Sequence, residues 1–165
     1  MKQNSSTKQK TRSDGHKRPS GAAGSGVIVA IGASAGGLEA FTELVHALPA
    51  DTGMAFVLVQ HLDPTHHSML TELLAKTTSI PVMEVKNGMK AEANHVYVIP
   101  PNCMMRIADR VLHLSPRDDV YATRMTVDHF MRSLADDQGG RAVGVILSGT
   151  GTDGTLGLSA RTAGG

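Results

Sequence analysis

Apolar residues are arranged in two alternating patterns from residue 27 onwards. Short continuous apolar runs are typical of strands buried on both faces of a sheet. Apolar residues spaced three and four apart predict amphipathic helices. The predicted strands are residues 27–31, 54–59, 80–85 and 142–147. The predicted helices are residues 36–48, 66–76, 127–134 and 153–163.

The pattern changes in the middle of the chain, where three short strand-like runs follow one another closely. They are residues 96–99, 104–107 and 111–114. The brief connection Ala108-Asp109-Arg110 predicts a hairpin between the last two, and residues 115–125 read as a polar loop. Alternation of strands and helices predicts an α/β fold: a doubly wound, mostly parallel sheet with helices on both faces and an antiparallel hairpin insertion.

Composition indicates one domain preceded by a tail. The chain has 165 residues, of which 41% are apolar and only 3% aromatic. Residues 1–26 almost lack large apolar side chains, so we expect a disordered tail there and a folded domain at 27–165. Six Lys or Arg and one Asp lie in residues 1–20, which leaves the rest net acidic. That acidic body gives no reason to expect a nucleic-acid partner.

The single cysteine, Cys103, excludes an internal disulfide framework. A reducing, cytoplasmic location is the simplest interpretation. No apolar stretch approaches the roughly 20 residues that cross a bilayer, and the N-terminus lacks the apolar core of a signal peptide. We therefore expect no membrane insertion.

Three polar segments follow predicted strands, and open α/β sheets bind ligands beyond the carboxyl ends of their strands. The first segment has the G-x-S-x-G pattern, Gly32-Ala33-Ser34-Ala35-Gly36. Small neighbours allow a sharp turn that exposes the Ser34 hydroxyl, and N–H groups at the helix start can hold an oxyanion. A Gly-rich turn that binds phosphate, or only packs helix on strand, explains the pattern equally well.

The second segment, residues 60–67, offers a base for this hydroxyl. Serine needs a general base at neutral pH, and His61 stands directly after the predicted strand and Gln60. The alternative is a strand-end histidine that bonds the backbone. His66 and His67 lie at a helix start and are expected to face solvent. We interpret the histidines within helix and hairpin patterns as structural: His46, His95, His113 and His129.

The third segment, residues 148–154, is Gly-rich and contains Asp153 at the start of a predicted helix. This carboxylate can orient His61 and stabilise the imidazolium formed during attack. An N-cap aspartate is the competing interpretation. A metal hydrolase using His61, Asp63, His66 and His67 fits no standard zinc motif, so no metal or other cofactor is expected. Neither a P-loop nor a full dinucleotide fingerprint is present.

Taken together, these motifs resemble the catalytic domain of the chemotaxis methylesterases, the CheB family, over residues 27–165. The resemblance is carried by four runs. They are Val29-Ala30-Ile31-Gly32-Ala33-Ser34-Ala35-Gly36-Gly37, Val59-Gln60-His61, Val98-Ile99-Pro100-Pro101, and Val145-Ile146-Leu147-Ser148-Gly149-Thr150-Gly151-Thr152-Asp153-Gly154.

The resemblance implies a triad of Ser34, His61 and Asp153, with oxyanion contacts from the region of Ala35, Gly36 and Thr150. It implies demethylation of methyl-glutamate, and deamidation of glutamine, on the helical bundle of a chemoreceptor. Many family members have Thr at the position of Ala35 and Met at that of Thr150. A catalytically impaired module that only binds receptors is therefore the alternative function.

The arrangement of the chain also departs from the family pattern. Only a polar tail precedes the first strand, so we expect no phosphorylation control by a receiver domain in the same chain. The resemblance is closer to fusions in which a receptor methyltransferase domain follows the esterase. Family domains continue beyond the helix that Asp153 begins, so the C-terminal part is expected to be missing, with reduced stability and oligomerisation as consequences.

Overall fold

The structure, a computed structural model, describes residues 26–33, 37–60, 69–117 and 125–147. The first half of the described chain contains β1 (Ile28–Ala33), α1 (Leu38–Ala47), β2 (Ala55–Gln60), α2 (Met69–Ala75), β3 (Val82–Glu84) and β4 (Met89–Lys90). The second half contains β5 (His95–Val98), β6 (Cys103–Ala108), β7 (Val111–Pro116), α3 (Thr126–Gln138), a 3-10 turn (Gly139–Arg141) and β8 (Ala142–Ile146).

The central sheet has five strands in the order β3-β5-β2-β1-β8. Every neighbouring pair in it is parallel. All six residues of β1 and all six of β2 are buried, which explains why both strands are continuous apolar runs. The predicted doubly wound parallel sheet is confirmed for the described residues.

Alternate side chains of β1 enter two separate cores, as the two-residue period of a strand requires. Ile28 and Ala30 pack with α3 and the hairpin strands, around Phe130 and Leu112. On the opposite face, the residues between them pack with α1 and α2. This second core contains Val29, Ile31, Phe41, Val45, Leu70 and Leu74, among others. The sheet is therefore covered on both faces.

A second, antiparallel sheet has the order β4-β7-β6, and its β6–β7 hairpin is the predicted insertion. Asp109 and Arg110 form the turn with φ of 51° and 62°. Two consecutive positive φ values are what a two-residue type I′ hairpin turn needs. The Asp137 carboxylate of α3 accepts both turn amides, at 2.6 Å from Asp109 and 3.1 Å from Arg110. The hairpin is thereby tied to the helix.

Most boundaries differ from the predicted ones by one or two residues, and three differences are larger or concern a whole element. The polar loop predicted from residue 115 is wrong at its start, because β7 continues to Pro116 through pairing with Cys103. Strand β4 was not predicted, and α3 extends to Gln138 rather than ending at Leu134. Apart from Gly26, the predicted tail lies outside the described residues, as does the predicted helix at 153–163, so the domain boundaries stay predictions. Within the described ranges, no helix is long and apolar enough to span a membrane.

Candidate functional site at the carboxyl edge of the sheet

The three motif-bearing segments begin at the carboxyl ends of three adjacent strands. Ala33, the last residue of β1, is in register with Gln60, the last residue of β2. On the other side of β1, Gly32 is in register with Ile146, and the Leu147 N–H donates to the Gly32 carbonyl at 3.0 Å. Since β1 lies between β2 and β8, the chain leaves the sheet at three neighbouring points.

The predicted site residues themselves lie outside the described ranges. They are Ser34, Ala35, Gly36, His61, Thr150 and Asp153, and the same holds for the alternative metal ligands Asp63, His66 and His67. The structure brings together the residues that immediately precede Ser34, His61 and Ser148, namely Ala33, Gln60 and Leu147. The triad and its oxyanion contacts stay predictions.

Close packing behind the end of β1 explains the glycine two positions before Ser34. A Cβ on Gly32 would overlap Val127 Cγ1 and would come within 2.9 Å of Ile146 Cδ1. Val127 belongs to the first turn of α3, so only a residue without a side chain lets that turn approach β1. The carboxyl end of β1 is therefore held between α3 and β8.

Helix α1 starts close to this edge because it follows β1 after a short connection. Gly37 precedes the helix with φ −71°, and its carbonyl accepts the Phe41 N–H at 2.8 Å. The unpaired N–H groups of a first helical turn carry partial positive charge, which attracts anions. Glu39 lies in that turn on the exposed side, where its carboxylate offsets part of this charge without burying it. The start of α1 is thus electrostatically suited to hold a negative oxygen.

Sequence reasoning missed three buried polar residues at this edge. Thr126 is 0% exposed and Asp128 1%, both in the first turn of α3, and Gln60 is 8% exposed at the end of β2. None of the three is without a partner. Arg117 Nη2 donates to Thr126 Oγ1 at 3.3 Å. Only Asp128 had a signal in the sequence, since it is an acidic residue at the start of a predicted helix. Such residues are too common at helix starts to indicate a functional site.

Two histidines and the cysteine, which could be reactive elsewhere, have contacts or burial that fit a structural role. His46 Nδ1 lies 3.0 Å from the Thr77 carbonyl, and His95 Nδ1 lies 2.8 Å from the Ala93 carbonyl. Both contacts fit the structural interpretation of these histidines. Burial raises the pKa of the Cys103 thiol, and the opposing effect of Arg117 is smaller. A thiol held in its neutral form is a poor nucleophile.

Comparisons with known proteins show which protein family has this sequence and fold. The family model described as CheB methylesterase matches residues 29–165. A protein-glutamate methylesterase/protein-glutamine glutaminase of Burkholderia orbicola is 40% identical over 146 residues, covering 88% of this chain and 43% of the relative. One from Bordetella avium is 39% identical over 136 residues, covering 81% and 39%.

A solved structure has the same fold as this chain. The crystal structure of the Thermotoga maritima CheB methylesterase catalytic domain superposes with a TM-score of 0.75 at 27% identity. The match covers 84% of this chain and 76% of that domain. Against the two full-length relatives, this chain spans only about two fifths of their length.

Proposed function

The chain belongs to the CheB methylesterase family, and we propose that it is a serine hydrolase that demethylates methyl-glutamate side chains of chemoreceptors and deamidates glutamine. The observation that carries the proposal is the family match over residues 29–165, which includes all three motif segments. The methylated helical bundle of a receptor is the proposed substrate, and the cytoplasm is the proposed location. A receptor methyltransferase domain following this one stays a prediction.

The proposed mechanism proceeds through an acyl-enzyme. Ser34 Oγ attacks the side-chain ester carbonyl while His61 accepts the hydroxyl proton. Amides at the start of α1 stabilise the oxyanion, and Asp153 stabilises the imidazolium. Collapse breaks the ester C–O bond, and His61 returns the proton so that methanol leaves. Water then attacks the acyl-enzyme by the same route, which releases glutamate and restores Ser34; from a glutamine substrate, ammonia leaves instead.

Support from the described residues comes from the strand register. Ser34 and His61 are each one peptide unit, about 3.8 Å between Cα atoms, beyond Ala33 and Gln60. Those two residues are partners in adjacent strands, and adjacent strands lie about 4.8 Å apart. A hydroxyl and an imidazole must meet within hydrogen-bonding distance for base catalysis. Register partners at the ends of neighbouring strands are a favourable starting point for that contact.

Methanol release from a methylated receptor fragment tests the proposal. We expect Ser34→Ala to lose essentially all release, since removing a triad nucleophile typically costs a factor of about 10⁶ in kcat. Ser79→Ala is the matched control, because Ser79 is exposed and precedes β3 at the opposite edge of the sheet. Normal release by Ser34→Ala, with Ser79→Ala also normal, would contradict the proposed nucleophile.

A receptor-binding module with little turnover is the second candidate, favoured by Ala35 and Thr150, which depart from the pattern of the family that the sequence resembles. A fluorophosphonate probe separates the two functions, because it labels only an activated serine. Labelling of wild type but not of Ser34→Ala supports the hydrolase. A folded wild type that binds methylated receptor and takes up no label supports the binding module.

A further inference from the structure

The large apolar side chains exposed on the described part of the chain are unevenly distributed. Five are exposed, namely Leu38 (43%), Met69 (69%), Leu73 (41%), Met125 (38%) and Ile146 (38%). Single exposed apolar residues are ordinary on protein surfaces, whereas their concentration in one region marks an interaction site. The position of these residues in the fold therefore matters more than their number.

Topology places four of the five towards the carboxyl edge of the central sheet, and Leu73 lies further along α2, in the direction of the amino edge. Helices α1 and α2 follow β1 and β2, so Leu38 and Met69, the first residues of these helices, lie near the carboxyl ends of those strands. Met125 directly precedes α3, which leads back to the amino end of β8, and Ile146 is the last residue of β8. Leu73 lies one turn after Met69, about 6 Å along the helix.

The amino edge of the sheet has the opposite character. There the Arg110 guanidinium donates to the Gly26 carbonyl at 2.8 Å and to the Ala91 carbonyl at 3.1 Å. Nearby, the Asn94 side chain accepts the Gly53 N–H at 2.7 Å. Polar groups here satisfy one another within the chain. Exposed apolar surface is thus concentrated at the edge where the motif segments begin.

Helix α2 carries two apolar stripes rather than one. Leu70 and Leu74 are buried against the sheet, as expected for an amphipathic helix. Met69 and Leu73 are also four residues apart and share a face of the helix, but that face is exposed. A helix that only covers a sheet would carry polar residues at these two positions. The second stripe indicates a surface with a partner.

We infer that Leu38, Met69 and Leu73, the α1–α2 patch, dock an apolar face of a helix in the protein substrate, next to the site at which its modified side chain reacts. The inference rests on the proposed function. Three observations favour a protein substrate as the occupant. The relatives are named for acting on glutamate and glutamine side chains of proteins, so a macromolecule must lie against the surface around the site. The patch adjoins that edge, and exposed Glu39 and Glu72 give it the polar rim of a protein interface.

The chemistry of the patch suits a helical partner. Met and Leu at positions i and i+4 provide the apolar anchors that accept an amphipathic helix. Methionine adapts its shape to different apolar surfaces, which suits contact with a partner helix. The docked helix would present one modified residue at a time to the carboxyl edge.

Steady-state kinetics on two substrates test the inference. The double variant Met69→Gln/Leu73→Gln keeps chain length and helix propensity but removes the apolar stripe. We expect KM for a methylated receptor fragment to rise about tenfold or more, equivalent to losing about 1.4 kcal/mol of binding. Hydrolysis of a small soluble ester, p-nitrophenyl acetate, should stay within about twofold of wild type, because such a substrate does not reach the patch.

Matched variants separate docking from a general structural effect. Ala75→Gln places the same side chain at the other end of the same helix, where Ala75 is exposed, and should leave both substrates unaffected. Met69→Leu/Leu73→Met keeps the stripe apolar and should keep receptor KM near the wild-type value. If the double variant melts early, Met69→Gln alone replaces it, because Met69 is the more exposed of the two.

Three results would overturn the inference. Equal loss on both substrates would mean that the patch supports the site rather than docking a partner. An unchanged receptor KM would mean that the substrate does not touch α2. Conversion of a dimer to a monomer by the double variant, with receptor KM unchanged, would assign the patch to a second copy of this chain.

Failure of the proposed function is distinguishable from failure of the docking inference. If wild type hydrolyses neither substrate, the hydrolase proposal fails. The equilibrium affinity for the same methylated receptor fragment, compared between wild type and the double variant by fluorescence anisotropy, still reports on the patch. A lower affinity in the double variant would support docking, and equal affinities would refute it.

Discussion

Substitution of Gly32 by alanine tests the packing that holds the end of β1. The added methyl group would overlap Val127 Cγ1, and it would also lie 2.9 Å from Ile146 Cδ1. Ile146 can yield, because Cδ1 is the end of a flexible side chain that is 38% exposed. Val127 cannot yield easily, because it is 3% exposed and β-branched in the first turn of a helix.

Overpacking of this kind costs about 1–3 kcal/mol of unfolding free energy. Each kcal/mol lowers Tm by about 2–4 °C in a chain of this size. Urea unfolding followed by circular dichroism measures the loss. Gly140→Ala is the matched control, since no atom lies within 4 Å of a Cβ added at Gly140. We expect that control to stay within about 0.5 kcal/mol of wild type.

A double-mutant cycle shows whether the overlap with Val127 is the cause. Val127→Ala alone destabilises by removing two buried methyl groups, at about 1–3 kcal/mol. In the double variant the methyl group added at position 32 fills part of the space that Val127 vacates, so the cost of the double variant should fall below the sum of the single costs by about 1 kcal/mol. Additive costs, or a Gly32→Ala variant as stable as Gly140→Ala, would refute the reasoning.

Three further predictions concern polar groups that are buried, as Tyr97 is, or partly buried, as Asp137 and Cys103 are. Tyr97→Phe should cost about 1–3 kcal/mol in urea unfolding, because the phenol accepts the Glu92 N–H at 2.9 Å and donates to the Lys90 carbonyl at 3.0 Å; a neutral effect would show that water replaces the phenol. Burial alone would raise the pKa of Asp137, but hydrogen bonds from three N–H groups and a nearby guanidinium together lower it below 3.8. Its stabilisation is therefore complete above about pH 4 and is lost as pH falls through the lower folded pKa, so the stability gap between wild type and Asp137→Asn should close in acid rather than stay constant. Cys103 should react with iodoacetamide at pH 8 more slowly than free cysteine, because burial raises the pKa of its thiol; an equal rate would contradict that burial.

The elements predicted correctly from the sequence are those with a long, uninterrupted hydrophobic pattern. The runs that became β1 and β2 were recognisable because a strand buried on both faces has no polar positions to break the pattern. The hairpin was recognisable from its brief connection. Strand β4 was not, because two residues carry no periodicity, and Met89 and Lys90 are in a strand only through pairing with β7. The end of α3 was missed because Asp137 is held by a turn 28 residues away in the sequence.

For the candidate site, sequence reasoning identified which segments leave the sheet but not how the strands are aligned. That Ala33 pairs with Gln60, and Gly32 with Ile146, depends on side chains from three strands and three helices that pack together. No motif of five or six residues contains this information. The motifs predicted chemistry, and the register supplied the reason why that chemistry could occur in one place.

Mutations at the two edges of the sheet should affect different properties. Those at the amino edge should change stability, and those near the carboxyl edge should change binding of a partner. At the amino edge, Arg110 and Asp137 connect the hairpin, the helix α3 and the start of β1 through hydrogen bonds within the chain. Changes there should lower unfolding free energy. At the carboxyl edge, Met69 and Leu73 contribute little to the fold because they are exposed, so polar replacements should leave stability nearly unchanged. Exposed apolar residues that the fold does not need, close to the edge where the motif segments begin, fit the docking role inferred for them.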